Sequence, residues 1–403
     1  MRAPNVPARD TITPMTALIT RHKLLALLLA ALLVRVILLI ALYPSLFAFE
    51  RTGAIHGSGA YDLYAVNLLA SGVYGKDAPG IPDAHLPPLI SYVVAAVYAM
   101  LGRSGFAVAV VNIAFDLIAI AALYHICRFL LPQHGKAIGL LAGAFYAFYP
   151  YLLFQNLTLI DTPLYMVLLY TWLLTFVLLR QRPRFDRATL FIAISSGVLL
   201  GLIALTRTNA VMLAPLLAPW FLFRRSLWQT AIRLAVVALV SALVITPWTL
   251  RNFEVFGQFV PIALNGGENL YQGNNPMTVP IFRAGYDVQW VPPPDDVTTM
   301  VRIDRNDQLA EAAWRYLREN PAAIPELMWT KFLVHWSIPV TPTRNPTTGD
   351  MSALMAMGDT RILVDEQGSV ITGDLPEGDP VNVYSSSLFD VVGRAVHIVY
   401  YGG

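Results

Sequence analysis

Charge and cysteine are the scarcest features of this chain. Only 13% of its 403 residues are charged and 56% are hydrophobic, where soluble domains carry roughly 25% charged residues. Over a length that would suit two or three soluble domains, this composition excludes a disordered chain and a nucleic-acid binder. The single cysteine, Cys127, excludes intrachain disulfides, a secreted disulfide scaffold and any multi-cysteine metal cluster. No internal repeat is visible either. What remains is a polytopic membrane protein.

The net charge of +2 hides an asymmetry. Residues 1–249 hold 18 Lys and Arg against 8 Asp and Glu, whereas residues 250–392 hold 9 against 18. The first part is apolar with basic joints and the second is polar and acidic. That pattern predicts an all-α membrane bundle over 24–249, after a cytoplasmic N-terminus at 1–23. A large segment, 250–392, then lies on the side opposite the basic joints. An apolar stretch from 391 to Gly402-Gly403, too short to cross, reads as the start of a further helix at 393–403.

Leu24–Tyr43 follows Arg21, His22 and Lys23. At 1.5 Å per residue it spans the roughly 30 Å hydrocarbon core, and it lacks the short core and cleavage site of a signal peptide. Further apolar runs fall near 88–102, 106–130, 137–154, 160–179, 189–206, 209–223 and 231–248. The arginines at 180, 182, 184 and 187, and those at 224, 225 and 233, mark cytoplasmic joints. Residues 44–87 then form a first external loop, with helical spacing over Tyr61–Leu69 that suits a surface helix. Asp161 should also be external, yet three apolar runs separate it from that loop. One run between 88 and 154 must therefore fail to cross. The short run 88–102 and the run interrupted by Pro150 are the two candidates.

External carboxylates beside apolar helices are the natural chemical groups. Asp62, in Gly59-Ala60-Tyr61-Asp62-Leu63-Tyr64, suits a general base partly desolvated at the membrane edge, or a cap of the surface helix. Asp161, before Thr162-Pro163, sits where an N-cap would sit. Arg207 and Arg251 follow apolar helices on the outer side, against the positive-inside trend. Each calls for an anionic partner, either a phosphate matched to the guanidinium fork or a loop carboxylate; snorkelling is the third reading. Arg35 and Asp116, charges inside apolar runs, read as a mutual structural ion pair. His85 precedes the stiff Leu86-Pro87-Pro88 and reads as a hydrogen-bonding loop residue. The string from Asn265 through Asn269, Tyr271, Asn274 and Asn275 to Pro276 is dense in amides. It suits sugar hydroxyls, or turn formation alone.

In this order the pieces resemble the GT-C superfamily of membrane glycosyltransferases, in the bacterial branch related to protein O-mannosyltransferases and to the aminoarabinose transferases of lipid A. The resemblance rests on Asp62 followed by Tyr64, on Pro87-Pro88-Leu89, on Asp161 opening a helix, and on Thr206-Arg207-x-Asn209. Its most specific element is Pro247-Trp248-Thr249-x-Arg251-Asn252, running through Phe256-Gly257-Gln258-Phe259-Val260-Pro261 into Asn265-Gly266-Gly267 and Gly273-Asn274-Asn275-Pro276.

The resemblance implies an integral protein of the bacterial inner membrane, using a polyprenyl-phosphate-linked sugar on the external face. Asp62 becomes the catalytic carboxylate and Asp161 lines the same cavity. Arg207 and Arg251, with His85 as a weaker third, become donor-phosphate ligands, and Tyr64 joins the amide string as sugar or acceptor contacts. Leu63 stands where the protein mannosyltransferases have the second acid of an Asp-Glu pair, which favours a lipid or glycan acceptor over a protein. Leu86 stands where the aminoarabinose branch has Lys. Metal dependence stays open: Asp62, Asp161 and His85 could contribute ligands to a divalent cation, but no recognised ligand spacing marks one. Two other readings fit the helices: a transporter or flippase of lipid-linked saccharides, which usually shows repeats, and a polysaccharide polymerase, which gives no reason for Asp62 and Asp161 to share one side.

Overall fold

A computed structural model describes residues 14–53, 55–212, 227–283 and 302–336, scattered positions between 288 and 297, and a small antiparallel ladder of Leu363–Val364 with Val370–Ile371. Most of the apolar run at 209–223, the joint at Arg224 and Arg225, and the segment from 393 onward lie outside the described residues. The chain divides into two compact units, residues 1–263 and 264–403.

The first unit is the expected all-α membrane bundle. Helix α1, Pro14–Leu42, runs into a widened turn at Tyr43–Phe47 and a short α2, Phe49–Thr52. Pro44 has no N–H for the preceding turn, and the helix accommodates it by widening rather than stopping. The span therefore reaches Thr52, beyond the expected end at Tyr43. On α1, Leu25, Leu29, Leu33, Ile37 and Ile40 recur at helical spacing and are exposed, while Ala31, Arg35 and Leu39 are buried. An outward leucine face is what a lipid environment accepts and water does not.

Four further long helices are apolar enough to cross: α5 (Gly105–Leu130), α8 (Thr162–Gln181), α9 (Arg187–Ala204) and α10 (Leu227–Phe256). Between α5 and α8 lies a broken helix, α6 (Gly135–Phe148) and α7 (Pro150–Leu157), bent by 53° where Pro150 interrupts the ladder. Gly197 and Gly201 let α9 and α10 approach closely: a Cβ at Gly197 would lie 2.7 Å from Val237 O, and one at Gly201 2.7 Å from Val244 Cβ. These contacts advance together, so α9 and α10 run parallel.

The remaining helices of this unit are the surface helix α3 (Gly59–Ser71) and the 13-residue α4 (Leu89–Leu101). At 1.5 Å per residue α4 is about 20 Å long, short of a crossing. Both its ends are tied to one end of the bundle. Leu89 N–H donates to Leu205 O at the close of α9 (3.0 Å), and Arg103, just past its other end, pairs with Asp62. Asp62 belongs to that same end, because Ser58 N–H donates to Leu159 O (3.1 Å) ahead of α8. The run that fails to cross is therefore 88–102, while the Pro150 helix bends but continues.

A buried ion pair joins four helices at that bend. Arg35 and Asp116 are each within 1% of full burial, with Arg35 Nη2 at 2.7 Å from Asp116 Oδ2. Arg35 also donates to Asn156 Oδ1 (2.8 Å) and Ala147 O (2.8 Å), and Tyr146 Oη donates to Asp116 Oδ1 (2.8 Å). The pair reads as structural: a carbonyl freed at the break is satisfied by the guanidinium.

The second unit holds α11 (Gly266–Gly273), α12 (Thr278–Arg283), α13 (Arg302–Glu319) and α14 (Ile324–Trp336). Helix α13 is amphipathic and stops just short of Asn320 and Pro321. Its Leu309, Ala312 and Ala313 bury against Tyr271, Ile281, Val291 and Val297. Gly and Pro lie toward the ends of α11, α12 and α14 without breaking them.

Candidate active site

The site is organised by one close backbone approach. Gly57 forms a parallel bridge with Leu159, and Leu159 N–H donates to His56 O (3.0 Å). Gly57 has φ +95°, and a Cβ there would lie 2.7 Å from Leu159 O, so only glycine fits. The bridge fastens the segment leading into α3, which carries Asp62, to the segment leading into α8, which carries Asp161.

Asp62 lies in the first turn of α3 and is 0% exposed. Neither its side chain nor that of Asp161 makes a capping bond to its helix. Asp62 Oδ1 accepts from Tyr98 Oη (2.8 Å) and from Arg103 Nε (3.0 Å), while Oδ2 accepts from Arg103 Nη2 (2.5 Å). The Arg103 side chain is 51% exposed, and its guanidinium lies 5.2 Å from the Phe49 ring. The hydrogen bond to Asp62 raises the Arg103 pKa further above its usual value. A buried carboxylate is thus held by a half-exposed cation.

Asp161 occupies the N-cap position of α8 without a side-chain capping bond. Its oxygens go to Arg207 instead, with Nε–Oδ2 and Nη2–Oδ1 both 2.7 Å. Arg207 also donates to Thr162 Oγ1 (2.9 Å) and stacks over Tyr165 at 4.8 Å. Asp161 raises the pKa of Arg207, and burial with the nearby Asp161 charge raises that of Tyr61 in the turn before Asp62. Of the readings open for Arg207, the carboxylate partner is the one present.

Arg251 is arranged differently. It donates to Asp83 O (2.8 Å), Tyr74 O (3.0 Å) and Asn252 Oδ1 (3.0 Å), and lies 4.8 Å from the Trp248 ring and 5.7 Å from that of Phe256. Among the described residues no carboxylate stands at ion-pair distance from it. The Asp83 carboxylate turns instead to Tyr64 Oη and to the amides of Ala84 (2.7 Å) and His85 (2.9 Å). Arg251 is therefore a braced cation that meets no carboxylate directly, the Asp83 charge acting on it only from beyond ion-pair distance.

Tyr64 is fully buried, its ring stacked on Tyr74 at 4.2 Å, so it shapes the loop from beneath. His85 is half-buried beside Asp83. The amide string belongs to the second unit. Asn265 opens α11, and Asn269 N–H donates to Asn265 O (3.0 Å). Tyr271 joins the core, Asn274 accepts from Lys331 (2.9 Å), and the buried Asn275 donates to Tyr271 O (2.7 Å). The Asn274 and Asn275 side chains fix their own turn. Among the described residues no three His, Cys, Asp or Glu side chains converge as a metal site.

Residues 85–250 match the family model of dolichyl-phosphate-mannose-protein mannosyltransferases. The resemblance to GT-C membrane glycosyltransferases is borne out. The match contains His85, Asp161 and Arg207, and stops short of Asp62 on one side and Arg251 on the other. No curated protein and no solved structure matches the chain. The match supports a membrane glycosyltransferase that uses a lipid-linked sugar. Sequence reasoning missed Arg103, Tyr98 and Asp83. Only Arg103 left a signal, as one more arginine at the end of an apolar run.

Proposed function

We propose that the protein transfers a single sugar from a polyprenyl-phosphate-sugar donor to a hydroxyl of a lipid or glycan acceptor, on the external face of a bacterial inner membrane. The observation that carries this reading is the Gly57–Leu159 bridge. It sets two carboxylate–arginine pairs, Asp62–Arg103 and Asp161–Arg207, at one end of the bundle. Arg251 adds a cation without a carboxylate partner.

In this reading Asp62 is the base. The acceptor oxygen attacks the anomeric carbon, its proton passes to Asp62, and the bond from that carbon to the phosphate oxygen breaks. Polyprenyl phosphate leaves as an anion, so no acid is obligatory; positioning and cationic stabilisation are what the site supplies. Both Asp62 oxygens are occupied at rest, and one must be released. The half-exposed Arg103 is the group able to swing away, whereas Tyr98 is fixed in the core. Arg251 and Arg207, with His85 as a weaker third, serve the departing phosphate, and Asp161 keeps Arg207 aimed. The transporter reading is weakened because Arg35 and Asp116, the charges a pathway would use, are fully engaged with each other and their neighbours.

The test is release of polyprenyl phosphate in reconstituted liposomes. A panel of polyprenyl-phosphate sugars is offered with an envelope extract as acceptor. Acceptor-dependent turnover that vanishes in folded Asp62→Asn supports the enzyme and the base together. Turnover that survives Asp62→Asn but vanishes in Asp161→Asn moves the base to Asp161. Absence of turnover with every donor overturns the reading.

A further inference from the structure

The second unit carries a helix with an apolar face turned outward. Along α14, Leu327 is buried, and Lys331 points to the same side to donate to Asn274 Oδ1; burial there pulls the Lys331 pKa below its usual value. At 3.6 residues per turn, Met328, Trp329, Phe332 and Leu333 share the opposite arc. They are 67%, 60%, 51% and 48% exposed, with the Trp329 and Phe332 rings stacked at 5.4 Å. The polar residues Glu326 and His335 are exposed at the two borders of this arc, and none interrupts it. A helix facing water would present the reverse pattern.

Two observations say what covers this face. The spanning helix α10 ends at Phe256 and the second unit starts at Leu264. Seven intervening residues reach at most about 25 Å, so the unit is leashed close to a bilayer surface. The face itself is built of Trp, Phe, Met and Leu, the residues that favour the boundary between headgroups and acyl chains. Thirteen residues, about 20 Å of helix, are too few to cross but enough to lie in that plane. We propose that α14 is an interfacial helix, resting on the bilayer with Trp329 and Phe332 at the headgroup–acyl boundary. It holds the second unit against the membrane that the bundle spans. The proposal does not depend on the glycosyl-transfer reading.

The single native cysteine makes the test direct. In a Cys127→Ala background, the full chain in liposomes receives a nitroxide at Met328→Cys, Trp329→Cys, Phe332→Cys or Leu333→Cys, each outward-facing. Glu311→Cys, exposed on α13, is the aqueous reference. Collision with oxygen should exceed collision with a neutral nickel chelate several-fold at 329 and 332, and the ratio should reverse at 311. A chelate-dominated signal at 329 and 332 would place the helix in water and sink the proposal. Immobilised labels shielded from both reagents would show protein on this face and sink it equally.

Discussion

At the scale of single residues, the three arginines at the site differ in what neutralises them. Arg103 and Arg207 each meet a carboxylate, whereas Arg251 is braced by the carbonyls of Asp83 and Tyr74 and by aromatic rings. A braced cation costs little reorganisation when charge develops beside it. Arg251→Gln should therefore lower kcat/KM by about 10²–10³-fold, the range for losing one such donor. Arg251→Lys should fall between, because an ammonium keeps the charge but not the fork that spans both carbonyls. Steady-state kinetics over donor concentration checks this, and an unchanged kcat/KM in Arg251→Gln would remove Arg251 from the phosphate site. The sequence exposed Asp62, Asp161, Arg207 and Arg251 because charge beside apolar runs is conspicuous. It did not expose their partners: Arg103 lies 41 residues from Asp62 and Arg207 46 from Asp161, and only the folded chain brings such pairs together.

At the scale of elements, the site depends on two joints. The first is the Gly57–Leu159 bridge. Gly57→Ala forces a side chain into the left-handed region against a carbonyl, with strain of about 1–3 kcal/mol. It should lower the melting temperature slightly and turnover markedly, since α3 would shift relative to α8. Equal turnover with lowered stability would show that the bridge serves only the fold. The second joint is the 53° break at Pro150, held by Arg35 and Asp116. Removing one partner leaves a buried charge, so Arg35→Met or Asp116→Leu should each destabilise by about 3–5 kcal/mol. The double variant, with neither charge left, should recover most of that loss, as thermal unfolding in detergent would measure. The pair itself was legible, because charges inside apolar runs must be matched. The break was legible from Pro150, but Arg35 capping Ala147 O was not, since the sequence does not say which carbonyl a kink leaves open.

At the scale of the whole molecule, the charge asymmetry was enough to separate a basic-jointed bundle from an acidic second part, because lipid and water select composition over long stretches. Which run failed to cross was not legible, since 88–102 and 137–154 both violate the pattern for a span, one by length and one by Pro150. Contacts decide it: α4 starts against Leu205 and ends beside Arg103, which holds Asp62. The first loop, the turn after α4 and the end of α10 must then share one side of the membrane. The α5–α6 and α8–α9 joints must share the other. In a Cys127→Ala background, Pro79→Cys, Leu101→Cys and Gln258→Cys, all exposed, should react with an impermeant maleimide from one side only. Gln133→Cys and Arg184→Cys, also exposed, should react only after the membrane is opened. Labelling of position 101 from the side of 133 and 184 would mean that α4 crosses. Asp62 and Arg103 would then lie on opposite faces, and the ion pair at the centre of the proposed site could not form.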